Sequence, residues 1–257
     1  MAFKHIFQNI FQKKISKKKF LCTIPKNASI LEIGPFYNPV CKGENVKYFD
    51  IINREDLIRR AKSINSKIEE SSVPFIDFVS PTGDLAIINE TFDIVISSHA
   101  IEHQLDLIDH LQKTSNLLKK NGKYYAIIPD KRFCFDYYNN ETTIADVINS
   151  NCYKQIKHSL KSVIEHRALT THNSAKKHWI GIHGSLNNTV NRIKEAIEEY
   201  NQSDYVDVHA WCFTPNSFTK IINLLYELGY IDFKIKTLYH TSVKKLEFYV
   251  VLEKCES

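Results

Sequence analysis

Short apolar runs that alternate with helical patterns constrain this chain most. Ser29–Ile33, Val46–Ile51 and Phe92–Ser98 read as strands, the third buried on both faces by its composition. Lys123–Ile128 is a fourth, closed by Pro129-Asp130. Leu105–Lys120 lies between the last two, with Leu107, Ile108, Leu111 and Leu118 on one face and lysines at its end, where they suit the helix dipole. Asn121-Gly122 ends that helix. Strands separated by helices imply right-handed crossovers and a mostly parallel sheet. Further on, Thr214 is placed as an N-cap and Pro215 at the first helical position of a segment carrying Phe218, Ile221, Ile222, Leu225 and Leu228, which stops at Gly229. Ile231–Tyr239 and Leu246–Leu252 follow, joined by a short polar loop that forces them antiparallel. The expected fold is α/β: a sheet that is parallel except for one reversed strand at its end.

Between the fourth strand and the Thr214 helix lies Lys131–His209, a polar stretch holding six of the eleven histidines. A structureless loop of that length is improbable in a compact domain, so the segment is expected to carry helices of its own, Asn191–Tyr200 among them. It reads as an insertion that caps the open edge of the sheet. The division is then a basic arm at 1–20, a cofactor-binding half at 21–130, an acceptor lid at 131–209 and the rest of the same domain at 210–257.

The net charge of +5 is misleading, because the first twenty residues hold six lysines and no acid; without them the remainder is at −1. The body therefore lacks the basic face a nucleic-acid partner would need. The arm has apolar residues at Phe3, Ile6, Phe7, Ile10, Phe11 and Ile15, at helical spacing. It reads either as a helix docked on the body or as a peripheral helix on an anionic membrane surface. No apolar run approaches the roughly 20 residues of a membrane span. The six cysteines form no C-x-x-C pair and read as free thiols of a reducing, cytoplasmic compartment.

Ligands of open parallel sheets bind beyond the carboxyl ends of the strands. Here those ends are Glu32-Ile33-Gly34, Asp50-Ile51, Ser97-Ser98-His99 and Pro129-Asp130. Asp50 is suited to accept hydrogen bonds from two ribose hydroxyls.

"LEIGP" with "VKYFDI", then "GDL" and "FDIVISSHAIEH", then "LLKKNGKYYAIIPD" and "FTPNSF" together resemble a class I S-adenosylmethionine-dependent methyltransferase. The subgroup it is most similar to belongs to bacterial clusters for surface polysaccharides, capsule or O-antigen. The resemblance implies a Rossmann-like sheet of seven strands with the last antiparallel, S-adenosyl-L-methionine as cofactor and S-adenosyl-L-homocysteine as product. It places Glu32, Gly34 and Pro35 at the methionine part of the cofactor, Asp50 at the ribose, Ile51 on the adenine face, Asp84 with Leu85 at the adenine amino group, and Ser98 with His99 at the methionine tail. The chain departs from the family in having Pro35, Phe36 and Tyr37 where further glycines usually stand.

That departure has a physical reading. Dinucleotide loops need glycines because a pyrophosphate lies against the backbone at a helix N-terminus. A sulfonium cofactor carries no phosphate and is served by nearby acids and carbonyls, so one glycine can suffice.

Methyl transfer to a hydroxyl needs positioning and a base. His103 and His99 are the candidate bases, Glu102 could orient one of them, and Asp130 faces the same cleft. Arg132 could hold an anionic acceptor, and His172, His178 and His209 are substrate-side candidates. Trp179 and Trp211 are either a platform for a sugar ring or anchors of the lid. His99-Ala-Ile-Glu102-His103 also spells the H-x-x-E-H pattern of zinc peptidases. With no obvious third ligand downstream, and with His99 at a strand end, no metal is expected.

The reading is a methyltransferase, by expectation an O-methyltransferase, acting on a small polar acceptor such as a sugar, a phosphate-like group or a nucleotide-linked precursor. Two alternatives stand beside it: a nucleotide-binding oxidoreductase or epimerase, and a non-catalytic scaffold of the same fold. The sequence assigns no oligomeric state.

Overall fold

The computed structural model describes residues 13–64 and 67–255. The apolar stripe expected over Phe3–Phe11 lies outside them. In chain order the strands are β1 (Ile30–Ile33), β2 (Val46–Asp50), β3 (Phe78–Val79), β4 (Phe92–Ser98), β5 (Leu118–Pro129), β6 (Phe233–Tyr239) and β7 (Glu247–Lys254). The helices are α1 (Lys17–Leu21), α2 (Arg54–Ile64), α3 (Leu107–Asn116), α4 (Ile144–Tyr153), α5 (Leu160–Ala168), α6 (Ala175–Trp179), α7 (Thr189–Gln202) and α8 (Pro215–Glu227). The strands form one sheet in the order β3-β2-β1-β4-β5-β7-β6. β3-β2-β1-β4-β5 pair in parallel, and β7 is antiparallel to both β5 and β6. This is the Rossmann-like α/β sheet expected, with one difference: the reversed strand is last in the chain but next to last in the sheet.

The alternation of side chains across a strand divides the core into two layers. Leu31, Ile33, Val95, Tyr124, Ala126, Ile128, Val250 and Leu252 meet α3, α4 and α8 on one face. Ile30, Ile94, Ile96, Tyr125, Ile127, Tyr249 and Val251 line the other, which Phe20 of α1 covers. Phe20 is fully buried and stacks on Tyr249 with ring centroids 5.0 Å apart. Ile15 and Leu21 pack against the same layer, so the end of the basic arm docks on the body.

The Thr214 helix forms as its caps direct, with a reciprocal Thr214–Ser217 capping box and Pro215 in the first turn. The expected helix at Leu105–Lys120 ends instead at Asn116, and Leu118 already belongs to β5. The segment 131–209 carries α4 to α7. Val147 of α4 joins the main core, whereas Val163 of α5 and Ala196 of α7 close a small core of their own with Val206 and Val208. Among the described residues no helix is long and apolar enough to cross a membrane, and the six cysteines are free.

His110 of α3 is buried beneath Tyr124, its Nε2 3.2 Å from the phenol oxygen. Burial, helped by the Lys113 charge, pushes its imidazole down to about 4. The unfolded chain takes up this proton near 6.5 and the native fold does not until about 4. Stability present above pH 6.5 is therefore lost as the pH falls towards 4, by about 3 kcal/mol. Urea midpoints at pH 7 and pH 4.5 should show this loss, and a His110→Leu protein should show less of it.

Candidate functional site

β1 is buried along its length and runs into Gly34, whose φ is +69°. The Gly34 N–H donates to Phe49 O at 2.9 Å. A Cβ there would stand 3.3 Å from Ala100 Cβ, a tight contact, and the positive φ would strain any other residue. Glu32 is 1% exposed, and its two oxygens accept the N–H groups of Val40 at 2.8 Å and Cys41 at 2.9 Å. It ties the loop after β1 back onto the strand. Burial pushes its carboxyl up to about 7, against the pull of those two donors. Pro35 opens a turn closed by Asn38 N–H on Pro35 O, and the rings of Phe36 and Tyr37 leave the strand ends to pack with Leu57, Val73 and Ile76. No helix starts in this loop: the chain passes from Ile33 to Val46 without one. The N-terminal cradle a pyrophosphate needs is thus missing beside Gly34.

Asp50 ends β2 at 8% exposure, and its Oδ1 accepts the Ile51 N–H at 2.8 Å. Burial raises its pKa, while the N–H donors and Arg60 act the other way. Ile51 lies over Gly83, whose Cβ would meet Ile51 Cγ2 at 3.7 Å. Asp84 accepts the Ala86 N–H at 3.0 Å and pairs with Lys113 of α3 at 2.9 Å; Leu85 is buried in the main core. Both are occupied by the fold. Ser80, buried just after β3, receives the Asp84 N–H on its Oγ.

The end of β4 is the polar centre. Ser98 Oγ accepts from Lys17 Nζ at 3.3 Å, which brings α1 to the strand ends. His99 adopts φ +54°. Its Nε2 lies 2.9 Å from Glu247 Oε2 at the start of β7, and its Nδ1 lies 3.7 Å from Glu102 Oε1. Burial opposes a charge on His99, but Glu247 and Glu102 outweigh it and raise the pKa. His103 Nδ1 lies 2.9 Å from Asp207 Oδ1, and Asp207 also pairs with Arg60 of α2. Burial disfavours the imidazolium at His103; Asp207, Glu102 and Asp136 more than offset it. The His99–His103 string is not one helix face: His99 precedes a 3-10 turn over Ile101–His103.

His209, 8% exposed, is brought to this turn by the backbone: Ala210 N–H and Trp211 N–H both donate to Glu102 O, at 2.8 and 3.1 Å. Its Nδ1 is 2.6 Å from Asp136 Oδ2, and its Nε2 is 3.9 Å from Glu102 Oε1.

The other expected residues lie elsewhere. Asp130 is fully buried and saturated: it accepts Arg132 N–H and Nε–H on Oδ1, and Arg132 Nη2–H and Thr241 Oγ1–H on Oδ2. That leaves no carboxylate lone pair to take a substrate proton, and Arg132 is committed to it. His172 and His178 form a separate cluster with His183 and Tyr137. His178 Nδ1 lies 3.0 Å from His183 Nδ1, His178 Nε2 lies 3.0 Å from His172 O, and Tyr137 stacks on His183 at 3.6 Å. Trp211 is buried with its Nε1–H on Gln104 O, and Trp179 stacks on Phe133 at 4.0 Å with its Nε1–H on Lys245 O; both are anchors.

Lys17, Asp136, Asp207 and Glu247, which meet Ser98, His209, His103 and His99, are candidates that the sequence does not mark. None stands in a motif, and each arrives from a segment distant in sequence. A cavity of about 730 Å³ opens between α4, α5 and residues 210–212, lined by Asn140, Asp146, Ser159, Lys161 and Glu165 among others. None of its lining residues belongs to the ends of β1, β2 or β4.

The strand-end residues fit a sulfonium nucleoside. A glycine admits close approach, a buried acid ends β2, carboxylates surround the end of β4, and no helix N-terminus stands in the loop after Gly34 to cradle a phosphate. A family model described as a methyltransferase domain matches residues 41–126, from the loop before β2 into β5. No curated protein matches the chain. Among solved structures, a protein described as an S-adenosylmethionine-dependent methyltransferase from Aquifex aeolicus is 10% identical, with 93% of this chain and 89% of that one covered at a TM-score of 0.45. The CcbJ methyltransferase from Streptomyces caelestis is 8% identical over 93% and 94%, with a TM-score of 0.47. The match to a methyltransferase domain over residues 41–126 thus spans β2, β3, β4 and the strand ends that Asp50 and Ser98 occupy.

Proposed function

We propose that this methyltransferase is an O-methyltransferase that modifies a hydroxyl of a small polar acceptor, in surface-polysaccharide biosynthesis on the cytoplasmic side. The observation that carries the reading is the His99–Glu247 pair at the end of β4, with Nε2 and Oε2 2.9 Å apart. A carboxylate on one imidazole nitrogen fixes the proton there and leaves the other nitrogen as acceptor. For His99 that acceptor is Nδ1, the proposed base. The polysaccharide context rests on the resemblance in sequence.

The bound cofactor supplies the methyl group and its sulfonium leaving group. Asp50 holds the ribose hydroxyls, Gly34 lets the backbone approach, and Lys17 beside Ser98 offers a cation to the carboxylate of the amino-acid tail. Asp207, paired with both Arg60 and His103, ties the chain just before residue 209 to the cofactor half. As the new O–CH₃ bond forms and the S–CH₃ bond breaks, the acceptor proton passes to His99 Nδ1.

Calorimetry with S-adenosylhomocysteine and with NAD is the direct test. Heat with the first and none with the second is expected; no heat with S-adenosylhomocysteine overturns the reading. A His99→Gln protein should still give heat with S-adenosylhomocysteine while losing turnover by about 100-fold. Unchanged turnover removes the base.

A further inference from the structure

Glu102 is fully buried, yet neither of its carboxylate oxygens accepts a hydrogen bond. A carboxylate in that state is costly unless a cation or a donor meets it. Its backbone carbonyl is satisfied twice over by Ala210 and Trp211, so the side chain is what remains open.

Three imidazoles stand around it, His99 with its Nδ1 3.7 Å from Oε1 among them. His209 turns Nε2 towards Glu102 Oε1 at 3.9 Å, while its Nδ1 is held by Asp136 at 2.6 Å. His103 has its Nδ1 2.9 Å from Asp207, and its ring stands edge-on to His209 at 4.7 Å. Ligand atoms of Glu102, His103 and His209 all lie within 4.8 Å of one another. Two tetrahedral ligands each about 2.1 Å from one ion stand about 3.4 Å apart, so the side chains must close by up to about 1.4 Å to complete the shell. Asp136 on the far nitrogen of His209 is the arrangement that orients a metal-binding imidazole and raises its basicity, and Asp207 lies 2.9 Å from His103 Nδ1.

A second grouping, Asp136, His166 and His209, shares one residue with the first. Its members are already spent. His166 Nδ1 accepts the His209 N–H at 3.0 Å, and Asp136 takes Cys134, Asn139 and His209. It supports the first group rather than competing with it.

We propose that Glu102, His103 and His209 bind one divalent first-row transition-metal ion, of the kind that two imidazoles and a carboxylate select. Three protein ligands leave positions open. His99 Nδ1, 3.7 Å from Glu102 Oε1, borders them. On the methyltransferase reading, those positions take the acceptor hydroxyl oxygen, and the ion makes its proton easier to give to His99. The metal site itself does not depend on that reading. The H-x-x-E-H string is thereby half used: His103 and Glu102 are ligands, His99 is not, and the third ligand comes from residue 209.

The full chain is stripped with chelator, dialysed, and titrated with Zn²⁺ and Mn²⁺ against a chromogenic competitor, with S-adenosylhomocysteine binding measured on the same samples. One equivalent of at least one ion, bound in the micromolar range or tighter, is expected. His209→Gln and Glu102→Gln should each weaken it at least 100-fold. His178→Ala, in the other histidine cluster, should not. Should the buried variants fail to fold, Asp207→Asn keeps every ligand and alters a half-exposed partner; roughly tenfold weaker metal binding is expected of it. Less than a tenth of an equivalent on the parent chain, or undiminished binding in the folded ligand variants or in Asp207→Asn, overturns the site. Metal binding without S-adenosylhomocysteine heat would strike the methyltransferase reading and leave the metal site standing; the reverse would do the opposite.

Discussion

An Asp50→Ala protein is expected to bind S-adenosylhomocysteine about a thousandfold more weakly than the parent. A carboxylate that accepts two ribose hydroxyls makes two charge-assisted hydrogen bonds, each worth about 1.5 to 3 kcal/mol. The pair is thus worth between about a hundredfold and ten thousandfold in affinity. Asp50 is prepared for this: it ends β2, is 8% exposed, and is fixed by the Ile51 N–H at 2.8 Å. Burial disfavours its charge before the ligand arrives, and two hydroxyl donors would restore it. Asp50→Asn retains one acceptor oxygen and should fall between the parent and alanine. Calorimetry on samples matched for melting temperature checks both. An alanine protein with full affinity removes the ribose contact.

The second large effect is structural. In a Glu32→Leu protein the N–H groups of Val40 and Cys41 lose their acceptor while still enclosed. Each such orphan costs about 1 to 3 kcal/mol, so the loop after β1 should open or the fold should lose several kcal/mol. Cys41 gives a direct readout. In the parent its thiol is nearly buried, and burial together with the neighbouring Glu32 charge pushes it up to about 12. Loosening the loop exposes the thiol and removes the charge, so a thiol reagent followed by peptide mapping should label Cys41 in Glu32→Leu much faster than in the parent. The exposed Cys22 and Cys152 serve as internal references. Equal labelling at Cys41, with unchanged urea stability, would show that Glu32 does not hold the loop.

The sheet was legible because its signals are local. Alternating apolar runs, the Thr214-Pro215 cap and the short loop before β7 each act within a few residues, and all lie where they were read. β3, of two residues, and α2 passed unread, and so did the position of β7 inside the sheet, which follows from pairing across more than a hundred residues. The site divides along the same line. Gly34, Asp50 and His99 sit at strand ends, which the sequence marks. Whether an acid at a strand end is free is decided by partners from afar. Arg132 and Thr241 saturate Asp130, Lys113 takes Asp84, and the loop N–H groups take Glu32. Asp207, Asp136 and Glu247 gain importance through the imidazoles they meet, and nothing in their own neighbourhoods announces it.

The place of β7 sets an order of assembly. Synthesis delivers β6 first, but its one strand partner is β7, and β7 must also cover the edge of β5. Until residues 247–254 have emerged, β5 keeps an unpaired edge and β6 is held only by the packing of residues such as Phe233 in the main core. The nascent chain can build β3-β2-β1-β4-β5 early and then wait. Glu247, which opens β7, reaches His99 on the same docking event. The last strand to arrive is therefore also the one that brings Glu247 to His99, so on the proposed function a chain lacking β7 would lack the carboxylate that orients that imidazole.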